Sequence, residues 1–182
     1  MSNESSKYEL PKGWVWIPLK DISIPPEKAN QKNDTPFDYI DIEAIDNLNF
    51  TIGKSKRHTW ESAPSRAQQI ILTGDTLFST VRPYLKNIAL VTPKYDRSIA
   101  SSGFCVIIRP LIINPVYVHN FVLTQYFIDS INNLAKGTSY PAVTSKIIQD
   151  QLLPVPPIQE QNRIVSKIEE LFSELSQFVH NF

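Results

Sequence analysis

The sequence predicts an α+β fold, a mixed-sheet domain followed by a long C-terminal α-helix. Three observations carry this expectation. Short segments rich in β-branched and aromatic residues, punctuated by turn residues, fill the chain up to about residue 108. Capped segments of helical period follow from Asn114. From Pro157 onward, apolar residues recur every three or four positions. A length of 182 residues with 42% hydrophobic composition suffices for one domain of ordinary size, with or without an appendage.

The ordered part opens with Leu10-Pro11-Lys12-Gly13-Trp14. Trp14 to Leu19 is apolar and extended, and Pro18 marks it as an edge or terminal strand. Residues 22–35 are rich in Pro, Asn and Lys and read as loop. Residues 37–42 alternate, with Phe37 and Tyr39 against Ile40 and Ile42, and predict a strand. Residues 53–69 are polar and basic and predict a long surface loop. Gly74-Asp75 is a tight turn into a strand over residues 76–81. Residues 88–91 and 104–108 predict two more strands.

The pattern then turns helical. Asn114 caps, Pro115 takes the first helical position, and one helix is expected to run through Val118, Val122, Tyr126, Phe127 and Ile131 to Lys136, with Gly137 at C′. A short helix starts at the cap Thr144 and carries Ile147 and Ile148. Residues 152–155 form a brief strand before Pro156-Pro157. In the final segment Ile164, Ile168, Leu171, Leu175 and Phe178 are spaced 4, 3, 4, 3, a heptad seam that Val165, Phe172 and Val179 widen. About 25 residues at 1.5 Å rise give a helix of roughly 37 Å. It suits either a core helix folded onto its own domain or a spacer that pairs with another helix. No internal repeat is visible.

Several chemistries are excluded by what is absent. None of the five glycines forms a G-x-G turn, and there is no phosphate-cradling loop. Asn114-Pro115-Val116-Tyr117 lacks the second proline of an adenine-methyltransferase motif. The single cysteine and three histidines (His58, His119, His180) are scattered and form no zinc pattern. Ser101-Ser102-Gly103 is not a nucleophile elbow. Asp75 reads as a turn residue bonding nearby N–H groups. Cys105 lies in an apolar run and reads as a buried, inert thiol. No apolar run spans a bilayer and the N-terminus is polar, so a soluble cytoplasmic protein is expected.

Net charge is zero but unevenly distributed. Residues 1–50 hold five basic and nine acidic side chains, residues 51–97 eight and three, and residues 98–182 five and six. A basic middle can bind phosphate locally, because such contacts need clustered cations and not a cationic protein. A solvated surface of uneven charge accounts for it equally well.

Five stretches in order resemble the specificity subunits of type I restriction-modification systems. They are Leu10-Pro11-x-Gly13-Trp14; Pro64-Ser65-Arg66-Ala67 with residues 74–87; Ser101-Ser102-Gly103-Phe104; residues 137–143 (Gly137-Thr138-Ser139-Tyr140-Pro141-Ala142-Val143); and residues 154–165. The resemblance covers the chain from Leu10 to about Leu175. It implies a DNA target-recognition domain over residues 10–156 and a conserved spacer or dimerisation helix over residues 157–182. It also implies no catalysis by this chain and no cofactor of its own. S-adenosylmethionine, ATP and Mg²⁺ belong on a methyltransferase subunit and a restriction subunit. Full subunits carry two recognition domains, whereas this sequence has one and its helix stops at Phe182. A natural half-subunit, a truncated product and an isolated domain all remain open, as does pairing with itself or a second half-subunit.

In that role Lys54, Lys56, Arg57 and Lys86 would position duplex DNA through phosphates. Arg66 and Arg82 are candidates to read guanine, and Gln68 and Asn87 adenine. Tyr84 and Tyr140 would pack on sugar or thymine methyl groups. The alternatives are a solvated cluster for Lys54, Lys56 and Arg57, a structural salt bridge for Arg82, and packing within the turn for Tyr140. The helix residues Ile164, Ile168, Leu171, Phe172, Leu175 and Phe178 would face a partner helix. Two rival functions stand beside DNA reading, a half-subunit that binds partners without reading DNA and, third, a small nuclease.

Overall fold

Alternation along the strands sorts the apolar side chains into two large cores, and this sets the architecture. The computed structural model describes residues 9–29, 35–107 and 113–180; the side chains of 179 and 180, Val179 of the seam among them, lie outside that description, as do Ile108 and Phe182. The strands are β1 (Val15–Pro18), β2 (Phe37–Ile40), β3 (Ile45–Asp46), β4 (Thr51–Ile52), β5 (Lys56–His58), β6 (Ala67–Ile70), β7 (Thr76–Ser79), β8 (Ile88–Leu90), β9 (Ile99–Ser101), β10 (Phe104–Ile107) and β11 (Leu152–Val155). The helices are α1 (Leu19–Ile22), α2 (Pro115–Val122), α3 (Gln125–Leu134), α4 (Ser145–Gln149) and α5 (Ile158–His180).

The central sheet is antiparallel, in the order β10-β7-β8. Successive side chains point to opposite faces. Phe78, Ile88, Cys105 and Ile107 therefore enter one core with Val118 and Val122 of α2, Phe127 and Ile131 of α3 and Ile148 of α4. Leu77, Ala89, Phe104 and Val106 enter the other with Ile40, Ile71, Tyr95 and Ala100. Both faces are covered, which is why β10 reads as an unbroken apolar run and why all four residues of β7, Thr76 and Ser79 included, are buried. Ile40 and Ala100 belong to a second sheet, ordered β5-β2-β9-β6, in which β2 and β9 are parallel and the other pairs antiparallel. Helices, central sheet and mixed sheet thus stack as three layers, the expected α+β class. A ribbon of β1 with β11 ties the start of the domain to the entry of α5, with Trp16 opposite Pro154.

Several sequence expectations are corrected. The helix predicted from Asn114 to Lys136 is two. Thr124 leaves helical geometry (φ −62°, ψ 146°) and its hydroxyl accepts from the Phe127 amide, so it caps α3 and breaks the run. Gly137 does have positive φ (102°), but α3 already ends at Leu134. The glycine serves a loop closed by Lys136 and Ala142, which exchange backbone hydrogen bonds. A Cβ on Gly137 would lie 2.9 Å from the Tyr140 carbonyl oxygen. The loop predicted over residues 53–69 contains β5 and begins β6. Ile42 starts a 3-10 turn (Ile42–Ala44) capped by Asp41 and does not extend β2. The small helix α1 was not foreseen.

Other expectations hold. Thr144 caps α4 through the Ile147 amide. Asn114 caps α2 through the amides of Val116 and Tyr117. Asp75 is buried, and its carboxylate accepts from the Leu72 amide at 2.8 Å. Cys105 is buried, and desolvation pushes its thiol up to about 11.

Helix α5 begins as part of the domain. The Gln161 side chain is buried; its carbonyl accepts from the Asn114 amide and its NH₂ donates to the Pro156 carbonyl, each at 2.8 Å. Val165 joins the helical core, with Ile164 packed beside it. Farther along, Leu171, Phe172, Leu175 and Phe178 are exposed. The inner edge of the seam, Ile168, Leu171, Phe172 and Leu175, borders a groove of about 830 Å³ whose opposite wall includes Leu48, Phe50, His119 and Leu123.

Candidate nucleic-acid interface

Four of the landmark segments meet at one place, and backbone hydrogen bonds hold them there. The Ser102 amide donates to the Arg66 carbonyl (2.8 Å), and the Thr80 amide and hydroxyl both donate to Gly103 (3.0 and 2.9 Å). The Val143 amide donates to Thr80 (2.9 Å), and the Arg82 amide to Pro141 (2.7 Å). Residues 64–68, 101–104, 79–87 and 137–143 therefore form a contiguous surface at one end of the two sheets.

The side chains on this surface are presented by specific local devices. Between Ala67 and Gln69 the register of β6 against β9 shifts, leaving Gln68 as an extra residue. Such a bulge turns a side chain out of the ladder. Gln68 is exposed, and its NH₂ donates to the Ser65 carbonyl at 2.8 Å. Gln69 points the other way and locks the next turn, donating to the carbonyls of Ser101 and Phe104. Arg66 is exposed and its guanidinium bonds to no described residue. Lys28, missed in the sequence, bridges to Gln69 beside them, with an exposed side chain that pairs with no described residue. A groove of about 580 Å³ runs alongside, lined by Pro25, Pro26, Lys28, Gln68, Ser102 and Ser145. Nothing in the local sequence marked Lys28, because its place comes from pairing with a strand forty residues on.

A second cluster occupies the β7–β8 connection. Arg82 and Lys86 both have left-handed backbones (φ 47° and 52°) flanking a 3-10 turn (Pro83–Leu85). The Arg82 guanidinium lies over the Tyr140 ring, 3.9 Å from its centroid. Tyr84 is exposed, whereas Asn87 is half-buried and its backbone carbonyl accepts from Ser79. The Lys86 ammonium donates to the Gln125 side chain at 3.2 Å. Among the described residues Arg82 forms no salt bridge of the kind weighed for it; its guanidinium sits over an aromatic ring instead.

Lys54, Lys56 and Arg57 lie apart, on and before the edge strand β5. Lys56 contacts Asp41 and Glu43, and Arg57 contacts Asp38, each at 2.8 Å. Asp41 and then Glu43 hold the Lys56 ammonium above its ordinary range. Lys54 is exposed without a described partner. Two of the eight basic residues of the middle are therefore offset in space by acids from the first fifty residues.

Among the described residues no group of three or more His, Cys, Asp or Glu is placed to hold a metal ion. The surface gathers cations, amides, hydroxyls and aromatic rings, the groups that bind a polyanion and read polar edges. The comparisons name the class. The family model described as "Type I restriction modification DNA specificity domain" matches residues 11–180, and the chain belongs to that family. The chain is 24% identical over 168 residues to the type I restriction enzyme EcoDI specificity subunit of Escherichia coli, covering 90% of this chain and 36% of that one. It is 28% identical over 184 residues to the EcoAI specificity subunit of the same organism, covering 94% and 30%. A crystal structure of the HsdS subunit from Thermoanaerobacter tengcongensis superposes with a TM-score of 0.87 at 40% identity, covering 96% of this chain and 46% of that one. A chain from a structural study of complex assembly and conformational transition in the type I R-M system gives the same TM-score and identity, covering 95% and 45%. The chain thus spans about a third of the curated relatives it matches and just under half of the solved chains.

Proposed function

We propose that this chain reads duplex DNA as one recognition half of a type I specificity subunit and directs other subunits to the site. The observation that carries the reading is the convergence of four separate segments on one exposed surface. There Lys28 and Arg66, which pair with no described residue, flank the Gln68 amide raised by a bulge and the exposed Ser102 hydroxyl. Cations of this kind fix a duplex through its phosphates, and neighbouring donors read base edges. The chain needs no cofactor of its own. S-adenosylmethionine, ATP and Mg²⁺ sit on the methyltransferase and restriction subunits it recruits, all in the cytoplasm. No helix among the described residues is long and apolar enough to cross a membrane.

Residues 10–156 act as the recognition unit, and residues 157–182 as a helix that pairs with a second copy or a different half. The exposed stretch of α5 also favours a second reading, a half-subunit that binds partners without reading DNA. Co-expression with the methyltransferase of the same system, followed by mapping of methylated adenines, separates the two. DNA reading yields methylation at a defined sequence that relaxes or is lost when Arg66 and Gln68 are replaced by Ala. Pairing without methylation at any defined sequence refutes it.

A further inference from the structure

We propose that Tyr140 is a specificity-determining contact with duplex DNA and that Arg82 is its positioning residue, not itself a base reader. The inference deepens the DNA-reading assignment and rests on it.

Three observations converge. First, Tyr140 is 66% exposed, although a tyrosine ring has much apolar surface to bury. It sits on the loop closed by Lys136 and Ala142 and fastened to the end of β7 through Arg82 and Val143. The left-handed Gly137, whose Cβ would meet the Tyr140 carbonyl, fixes how that loop turns. A ring on a fastened loop loses little freedom on binding, which favours a contact that discriminates.

Second, one face of the ring is already occupied. The Arg82 guanidinium lies 3.9 Å from its centroid, within the range of cation–π attraction. The opposite face and the hydroxyl remain for a ligand. Third, Arg82 is committed elsewhere than to a base. Its backbone is held left-handed (φ 47°), a conformation that non-glycine residues adopt only when surroundings impose it. Its amide donates to Pro141, the residue after Tyr140, so backbone and side chain both grip the same loop. Its Nε is buried without an acceptor. A guanidinium reading guanine bidentately presents its edge freely to the groove. Here one of the five donors is enclosed and the guanidinium carbon lies over the tyrosine ring.

The ligand chemistry follows. A tyrosine face of this kind takes a deoxyribose or the methyl edge of thymine, and its hydroxyl serves one donor or acceptor on a base edge. Arg82 behind the ring keeps its charge close to the neighbouring phosphates.

The test is a double-mutant cycle on the full chain, read by selection from a pool of 30-bp duplexes with a randomised centre and then by titration of the selected duplex. Tyr140→Ala is expected to weaken binding of the selected duplex roughly 5- to 150-fold, the range of one base contact, and to relax preference at one position. Tyr140→Phe should keep most of the affinity. Arg82→Ala should match Tyr140→Ala, and the double variant should lose no more than either single one. Arg82→Lys, which keeps the charge but lacks the flat plane, should behave like Arg82→Ala. It also serves if the alanine variant does not fold. Additive losses, or wild-type preference in Tyr140→Ala, overturn the assignment while leaving DNA reading intact. Full affinity in Arg82→Lys with loss in Arg82→Ala overturns the positioning role. A wild-type chain that selects no sequence overturns DNA reading itself.

Discussion

Replacing Leu171 and Leu175 together by Asp tests whether α5 belongs to the domain or extends from it. Burial declines along the helix. Val165 is 6% exposed, Leu171 47%, Leu175 62% and Phe172 65%. Fully burying a large apolar side chain contributes about 1.5–3 kcal/mol. Scaled by the fraction already covered, the two leucines contribute roughly 1.4–2.7 kcal/mol to the isolated fold. A 182-residue chain should therefore melt about 3–11 °C lower on their loss, but still cooperatively. The area still uncovered on Leu171, Phe172 and Leu175 offers roughly 3–5 kcal/mol per chain to a partner helix. Two chains together offer roughly 5–10 kcal/mol, against an association cost of about 4–15 kcal/mol in lost freedom. Self-pairing is therefore expected to be marginal, and pairing within a larger complex to be favoured. Light scattering and capture by the methyltransferase should show the double variant folded but unpaired. Val165→Asp places a charge in the core and should prevent folding. A leucine double variant that unfolds outright refutes the division of the helix. One that stays folded and binds every partner removes the seam from assembly.

Salt titration of duplex binding distinguishes free from committed cations. Arg66→Ala and Lys28→Ala should each lower the log–log salt slope by about 0.9. Lys56→Ala and Arg57→Ala should change it little, because carboxylates already neutralise both; a loss of slope in these last two would move the phosphate surface to β5. A pH effect is expected from His119, whose burial lowers its pKa to about 4 and whose Nδ1 has no partner. The unfolded chain binds this proton below about pH 6.5 and the folded chain only near 4. Stability is therefore complete above pH 6.5 and falls as the pH drops toward 4, by up to roughly 3 kcal/mol. Denaturant midpoints of His119→Phe against pH should be flatter over that window. An unchanged slope would assign the acid sensitivity elsewhere.

What the sequence made legible is what depends on neighbours along the chain. Asn114, Thr144 and Asp75 bond to amides two or three residues away, so their roles show in a short window. The run 104–107 announces burial on both faces by being apolar throughout. Thr124 was equally local, since a threonine three residues before an amide is a cap signal. The apolar period on either side of it concealed the break. β5 was illegible for a different reason. An edge strand of Lys56, Arg57 and His58 exposes its first two side chains and has no hydrophobic alternation, and charged residues are what protects such an edge.

The candidate surface was legible as a set of segments but not as an arrangement. Landmarks around Arg66, Ser102, Arg82 and Tyr140 stood out one by one, yet hydrogen bonds between distant strands bring them together. The same distance explains why charge misled. The excess of cations in residues 51–97 is real, but the β2–β5 register sets Arg57 directly opposite Asp38, and Lys56 reaches Asp41 and Glu43. Pairing across strands cancels in space what the linear count separates. The cations that matter for a polyanion are those that folding leaves without carboxylates. Lys28 comes from the acidic stretch and Arg66 from the basic one, so neither cluster counted along the chain could have picked out the pair.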